Sequence, residues 1–154
     1  MRKENKIIKF MPINKENFEK VIQLEVHETQ SKFVAPNVRS LADCYLYCDE
    51  EGVTPYAIQN GKKIVGFLLL DMDEERKELM IWRMMIDKHF QDKGYGRETI
   101  KTVIEIAKEE KDYDVIIADY VQGNEVMSNL LRTIGFEDHS YNQEFDEYVL
   151  HYKI

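Results

Sequence analysis

The chain has 154 residues, with 29 Asp plus Glu against 21 Lys plus Arg and a formal net charge of −8. That length suits one domain spanning residues 1–154, since single domains run to about 100–150 residues and bury roughly two-thirds of their surface without help from metal or disulfide. An acidic chain of this kind is a poor general binder of DNA, RNA or anionic membrane; its charge is compatible with a cationic small molecule but does not by itself point to one.

The opening Met1-Arg2-Lys3-Glu4-Asn5 lacks the apolar core and small-residue cleavage site of a secretory leader. Lys6 to Ile13 reads as a strand ended by Pro12, and Asn14 is placed to cap a helix beginning at Lys15. In that helix Phe18, Val21, Ile22 and Val26 form one apolar stripe. A loop through Ser31, Pro36 and Asn37 leads to a second helix, Leu41 to Cys48, with Ser40 as its expected cap. Cys44 and Cys48 stand one helical turn apart. A disulfide gains little by closing so short a loop, and two ligands make a poor zinc site, so the expectation is reduced thiols in a cytoplasmic protein.

Thr54 to Gln59 and Lys62 to Met72 read as strands joined at Asn60-Gly61, a strong hairpin signal. The apolar run from Ile64 to Leu70 falls far short of the ~20 residues of a membrane helix. A charged turn at Asp73 to Lys77 precedes a strand from Glu78 to Ile86. Thr99 to Lys108 is an amphipathic helix, Val115 to Val121 a short central strand, and Asn124 to Thr133 a helix stopped at Gly135. Phe136 to Tyr141 and Tyr148 to Lys153 complete the pattern. This order implies an α/β fold, a mixed sheet with helices on both faces.

The stretch Met84-Met85-Ile86-Asp87-Lys88-His89-Phe90-Gln91-Asp92-Lys93-Gly94-Tyr95-Gly96-Arg97 joins an apolar strand to a helix through a turn with two glycines. Backbone N–H groups at a helix start, and the helix dipole, suit a phosphate or pyrophosphate. Lys88, Lys93, Arg97 and Lys101 locally outnumber Asp92 and Glu98, against the sign of the whole chain. A dinucleotide fingerprint needs a third glycine where Thr99 stands, and the sequence shows no strand–helix–strand unit with a downstream acid around it. A P-loop needs Gly-Lys-Ser/Thr where Arg97-Glu98 follows. Two glycines alone also fit a tight turn with nothing bound.

Taken together, Gln91-x-x-Gly94-x-Gly96, then Asn124 and, after a helix, Gly135-Phe136, resemble the acyl-CoA signature of the GNAT acetyltransferases. The element order matches that superfamily over essentially the whole chain. The resemblance implies that the backbone of Met84, Met85 and Ile86 pairs with the pantetheine arm and polarises the thioester carbonyl of acetyl-CoA. It implies that the N–H groups of Gln91, Asp92, Lys93, Gly94, Tyr95, Gly96 and Arg97 hold the pyrophosphate. Asn124 and the helix carrying Leu131 would flank the pantetheine and thiol.

In many members a tyrosine donates a proton to the departing thiolate, and its place is taken here by Leu131, which cannot. Water or another hydroxyl then serves, with Tyr120 as the candidate catalytic group, or the chain binds acyl-CoA without efficient turnover. Tyr120 also reads as a packed core aromatic.

The amine acceptor must shed a proton before it attacks, and a carboxylate or ordered water can take it. Glu25, Glu28, Asp43, Asp49, Glu50 and Glu51 crowd the first two helices, where this superfamily builds its acceptor site. The run Gln30-x-x-Phe33-Val34-Ala35-x-Asn37-x-x-Ser40-Leu41, with Pro55-Tyr56-Ala57-Ile58, Val65-Gly66-Phe67 and Trp82-Arg83-Met84-Met85-Ile86-Asp87, looks like the bacterial spermine/spermidine acetyltransferases. Glu28, Phe33 and Trp82 are therefore candidate substrate-binding residues, Trp82 through its π-face, though core packing explains it equally. Arg83 is expected to alternate sides with Trp82 and to pair with an acid. His27, His89, His139 and His151 show no ligand spacing, so no metal is assigned.

The expectation is an acetyl-CoA-dependent N-acetyltransferase in which a primary amine, a polyamine by the narrower resemblance, attacks the thioester directly. Another amine (an aminoglycoside, an amino acid, a protein N-terminus) and a weak acyl-CoA-binding regulatory module are the alternatives. Homodimers are common in the families it resembles.

Overall fold

The computed structural model describes residues 8–47 and 52–154. Its elements are β1 (Lys9–Pro12), α1 (Phe18–Gln23), a 3-10 turn (Glu28–Gln30), α2 (Asn37–Leu46), β2 (Val53–Asn60), β3 (Lys63–Asp73) and β4 (Glu78–Ile86), then α3 (Tyr95–Glu110), β5 (Val115–Val121), α4 (Glu125–Ile134), β6 (Glu137–Asn142) and β7 (Glu147–Lys153). The described strands make one seven-stranded sheet in the order β1-β2-β3-β4-β5-β7-β6. Every neighbouring pair is antiparallel except β4 and β5, which are parallel. β4, α3 and β5 thus form a strand–helix–strand crossover, the unit the sequence did not reveal; Thr99 still rules out the dinucleotide fingerprint.

Val65 to Leu70 of β3 is buried throughout, because helices cover both faces of the sheet there. Leu68 and Leu70 meet Leu79, Ile100, Val103, Ile116 and Leu131 on the side of α3 and α4. Phe67 and Leu69 meet Val21, Ala57 and Met85 on the side of α1 and α2. No described helix is long and apolar enough to cross a membrane.

Element boundaries moved where side chains compete for the backbone. Asn14 does not start α1 directly. Its Oδ1 accepts the N–H groups of Glu16 and Asn17, closing a turn that delays the helix to Phe18. α2 starts at Asn37, behind Pro36, so Ser40 lies inside the helix and is 1% exposed rather than capping it. Cys48 lies outside the described residues. α3 begins at Tyr95 because Gly94, at φ 88°, supplies the left-handed residue that turns the chain into the helix. The first hairpin turn sits on Gly61 and Lys62, with Asn60 paired to Lys63.

A bulge in β4 shapes the site. Leu69 pairs with Arg83 but Leu70 pairs with Ile81, leaving Trp82 as the extra residue. The bulge cancels the alternation expected of Trp82 and Arg83. Both turn toward α2, where Trp82 meets the Tyr47 ring edge-on at 5.9 Å and Arg83 reaches Asp43 at 2.7 Å.

Candidate active site

The parallel ladder between β4 and β5 runs only from Glu78↔Val115 to Ile81↔Ala118, although β4 continues to Ile86 and β5 to Val121. Beyond Ala118 the strands part. A cavity of about 1250 Å³ fills the gap, lined by Trp82 to Ile86 on one wall and Ala118 to Val121 on the other.

At one end lies the turn into α3. The residue ahead of this helix is Gly94, which has no side chain to cap it, and the helix dipole sets partial positive charge at this end. Gln91, Asp92, Gly94, Tyr95, Gly96 and Arg97 all line the cavity. Gly96 allows close packing of α3 on α4, since a Cβ there would lie 3.4 Å from Leu130 Cδ2. Lys93 stands outside the lining and donates from Nζ to the His89 carbonyl at 3.3 Å. The Tyr95 ring turns into the core, with its hydroxyl accepting from Asn60 Nδ2 at 2.7 Å, so only its backbone end serves the turn. Asp87 braces this loop from below. Its Oδ1 accepts the His89 N–H at 2.9 Å and its Oδ2 the Glu25 N–H at 2.9 Å. Burial alone would raise the Asp87 carboxyl, but these hydrogen bonds and His89 outweigh it and hold the group below the usual range.

Met84, Met85, Ile86, Asn124 and Leu131 also line the cavity. Asn124 caps α4, its Oδ1 accepting the Met127 N–H at 3.2 Å. Leu131 is 1% exposed, packed in the core under the cavity floor. Tyr120 is in the lining as well as in the core. Its ring stacks on Tyr148 at 5.4 Å and its hydroxyl accepts from Arg132 Nη2 at 3.0 Å.

The lining also carries acids that no sequence motif marked. Asp119 on β5 and Glu147 on β7 line the cavity and are hydrogen-bonded to each other. β5 and β7 pair Asp119 with Val149 and Val121 with Glu147, so the two acids are diagonal neighbours on one face of the sheet. Burial first, then the charge of Glu147 and the bond to it, raise Asp119 to about 7. A carboxyl–carboxyl hydrogen bond needs one shared proton, so near neutral pH the pair carries less than its full charge. Asp119 is the one charged residue in Val115–Val121, a signal the sequence did offer.

Phe33 and Trp82 also line the cavity, as do Arg39, Asp43 and Arg83. Burial pushes the Asp43 carboxyl up, but Arg83 and Arg39 outweigh it and hold it below the usual range. Arg83 also donates to Ser40 Oγ at 3.1 Å, which confirms it as a structural charge with an acidic partner. Of the other acids, Glu28 is exposed on the 3-10 turn and outside the lining, and Glu25 pairs with Lys88 at 3.2 Å. Asp49, Glu50 and Glu51 lie outside the described residues.

Residues 15–136 match the family model described as the acetyltransferase (GNAT) family. Over 148 residues the chain is 26% identical to a probable spermine N(1)-acetyltransferase of Bacillus subtilis subsp. natto, covering 90% of this chain and 91% of the relative. Among solved structures it superposes on a spermidine N-acetyltransferase of Vibrio cholerae in complex with CoA and spermine. The TM-score is 0.76 at 10% identity, covering 95% of each chain. An IAA acetyltransferase of Bacillus cereus matches with a TM-score of 0.70 at 17% identity, covering 96% of this chain and 99% of that one.

Proposed function

The chain belongs to the GNAT acetyltransferase family, and from that premise we propose that it acetylates a primary amine of a polyamine such as spermidine or spermine, by direct attack on acetyl-CoA in a ternary complex. One observation carries the reading. A single cavity joins the glycine-led start of α3, suited to a pyrophosphate, to a hydrogen-bonded carboxyl pair suited to an ammonium group. The 26% identical relative, named for spermine, supports the substrate class.

In this reading acetyl-CoA lies along the parted strands, its pyrophosphate on the N–H groups of Gln91 to Arg97 and its thioester carbonyl at the β4 backbone of Met84 to Ile86. A fixed strand N–H stabilises the tetrahedral oxyanion without reorganising. The substrate ammonium, with a pKa near ~10 like that of lysine, gives its proton to the Asp119–Glu147 pair once that pair is ionised. The free amine nitrogen then bonds to the acetyl carbon, its second proton passes to water, and the carbon–sulfur bond breaks to leave the amide. The thiolate takes its proton from Tyr120 or from water, since Leu131 has none to give. Phe33 and Trp82 would flank the aliphatic spacer of the amine.

The test follows thiol release from acetyl-CoA with spermidine, spermine, putrescine, an aminoglycoside and a short peptide. Preferential turnover of spermidine or spermine is the expected outcome. Preference for another amine overturns the substrate class. Tight CoA binding with no turnover of any amine points to the binding-module reading that Leu131 keeps open.

A further inference from the structure

The segment between α1 and α2 roofs part of the cavity. Val26, Gln30 and Phe33 face the cavity, and the Phe33 ring reaches the β5–α4 turn, 3.8 Å from where a Cβ on Gly123 would lie. A single 3-10 turn, Glu28–Gln30, is all the regular structure this roof contains. Its internal hydrogen bonds are local, none spanning more than three residues, so its placement over the cavity depends on the elements it touches.

Val26 and Val34 pack this roof against the core on the side of α1 and α2, and the turn ahead of α3 ties it by hydrogen bonds. Gln30 and Gln91 form a reciprocal amide pair. Gln30 Nε2 donates to Gln91 Oε1 at 3.1 Å, and Gln91 Nε2 donates to Gln30 Oε1 at 2.9 Å and to the Ile86 carbonyl at 3.0 Å. The same Gln30 oxygen accepts the His27 N–H at 3.1 Å, closing the 3-10 turn. One amide therefore shapes the roof and fastens it to the turn. A second tie runs beside it, where Lys88 N–H donates to the Glu25 carbonyl at 2.8 Å and Asp87 accepts the Glu25 N–H. The side chain of Gln91 thus faces the roof, a task separate from the backbone N–H it offers to an anion.

We propose that Gln30 is a positioning residue that couples the two substrate sites, so that CoA on the 91–97 turn orders the amine-side roof through the Gln30–Gln91 pair. This rests on the reading of that turn as the acyl-CoA site. Fixing Gln91 removes part of the entropy cost of ordering residues 26–33, and the amine then meets a roof already in place. The coupling is reciprocal, so an amine under the roof tightens CoA by the same factor.

Hydrogen exchange with CoA as the only ligand tests the coupling without knowing the amine. Backbone amides of residues 91–97 and 26–33 should both slow on CoA addition, the second group by about tenfold, the middle of the usual range for coupled sites. In Gln30→Ala residues 91–97 should still be protected while 26–33 are not. Gln30→Glu, which keeps an oxygen for His27 and Gln91, should restore much of the protection, and this separates coupling from general damage. With spermine as the amine, Gln30→Ala should raise KM about tenfold and leave kcat nearly unchanged. Protection of 91–97 alone in the wild type, or full protection of 26–33 in Gln30→Ala, overturns the coupling. No binding of CoA to the wild type overturns the assignment of the turn instead.

Discussion

Asp119 is held in two opposing demands. Folded, it titrates near about 7, above the ~3.9 of an unfolded aspartate. Its contribution to stability is therefore fully present below about pH 4 and is lost as pH rises through 7. In the proposed role as a base it would work in the other direction, since the ionised pair that accepts a proton accumulates above 7. Activity should rise between pH 6 and 8 while stability falls. Asp119→Asn should lower kcat/KM by about a hundredfold or more and flatten the pH dependence of both quantities. Urea titrations at the two pH values and a pH–rate profile check this, and an unchanged profile in the variant would exclude Asp119 as the proton acceptor. Gly96 answers a different question. An aspartate there crowds Leu130 and sets a negative charge at the proposed phosphate site, so Gly96→Asp should weaken CoA at least about tenfold, the effect of about 1.4 kcal/mol of repulsion. Isothermal titration measures it, with a melting curve to verify folding. Unaltered affinity would remove the pyrophosphate from this turn.

At the scale of elements, the β4 bulge and α2 depend on one another. The extra residue at Trp82 turns Arg83 toward α2, where Asp43 receives it with its side chain 8% exposed. Arg39 bonds the other oxygen of the same carboxylate at 3.1 Å. Removing the acid leaves Arg83 without its counter-charge, so Asp43→Asn should cost about 2–3 kcal/mol of stability in urea unfolding. A loss below about 0.5 kcal/mol would rank the contact with exposed ion pairs and leave α2 held chiefly by the packing of Leu41 and Cys44 and by the bond from Asn37 to the Val21 carbonyl. The order of these elements was legible from apolar spacing, and so was the glycine turn into α3. Their edges were not. Asn14 and Ser40 both have the chemistry of helix caps, but Asn14 closes a turn of its own and Ser40 is drawn inside α2, its hydroxyl accepting from Arg83. Competition between local caps and distant partners decides such positions, and only one side of it is visible in a short window of sequence.

Over the whole molecule, the net charge of −8 favours capture of a multivalent cation. That attraction is screened by salt, whose Debye length shrinks from about 10 Å at 0.1 M to about 3 Å at 1 M. KM for spermidine should rise about tenfold over that range, and KM for a monoamine of similar length much less. Equal salt dependence would place recognition in the apolar lining rather than in the field of the chain.

The sequence by itself determined the family, the run of strands and helices, and the turn from Gln91 to Arg97. Each of these is written in residues near one another, as periodicity, as glycine spacing or as a motif. It also pointed to Arg83 needing an acid, because a lone charge in an apolar strand is costly unless paired. The tertiary structure alone decided where β4 and β5 part, which face Trp82 takes, that Asp119 meets Glu147, and that Gln30 meets Gln91. Those facts depend on strand register and on a bulge. Register is settled by packing between segments far apart in the chain, and a one-residue shift sends every side chain to the opposite face.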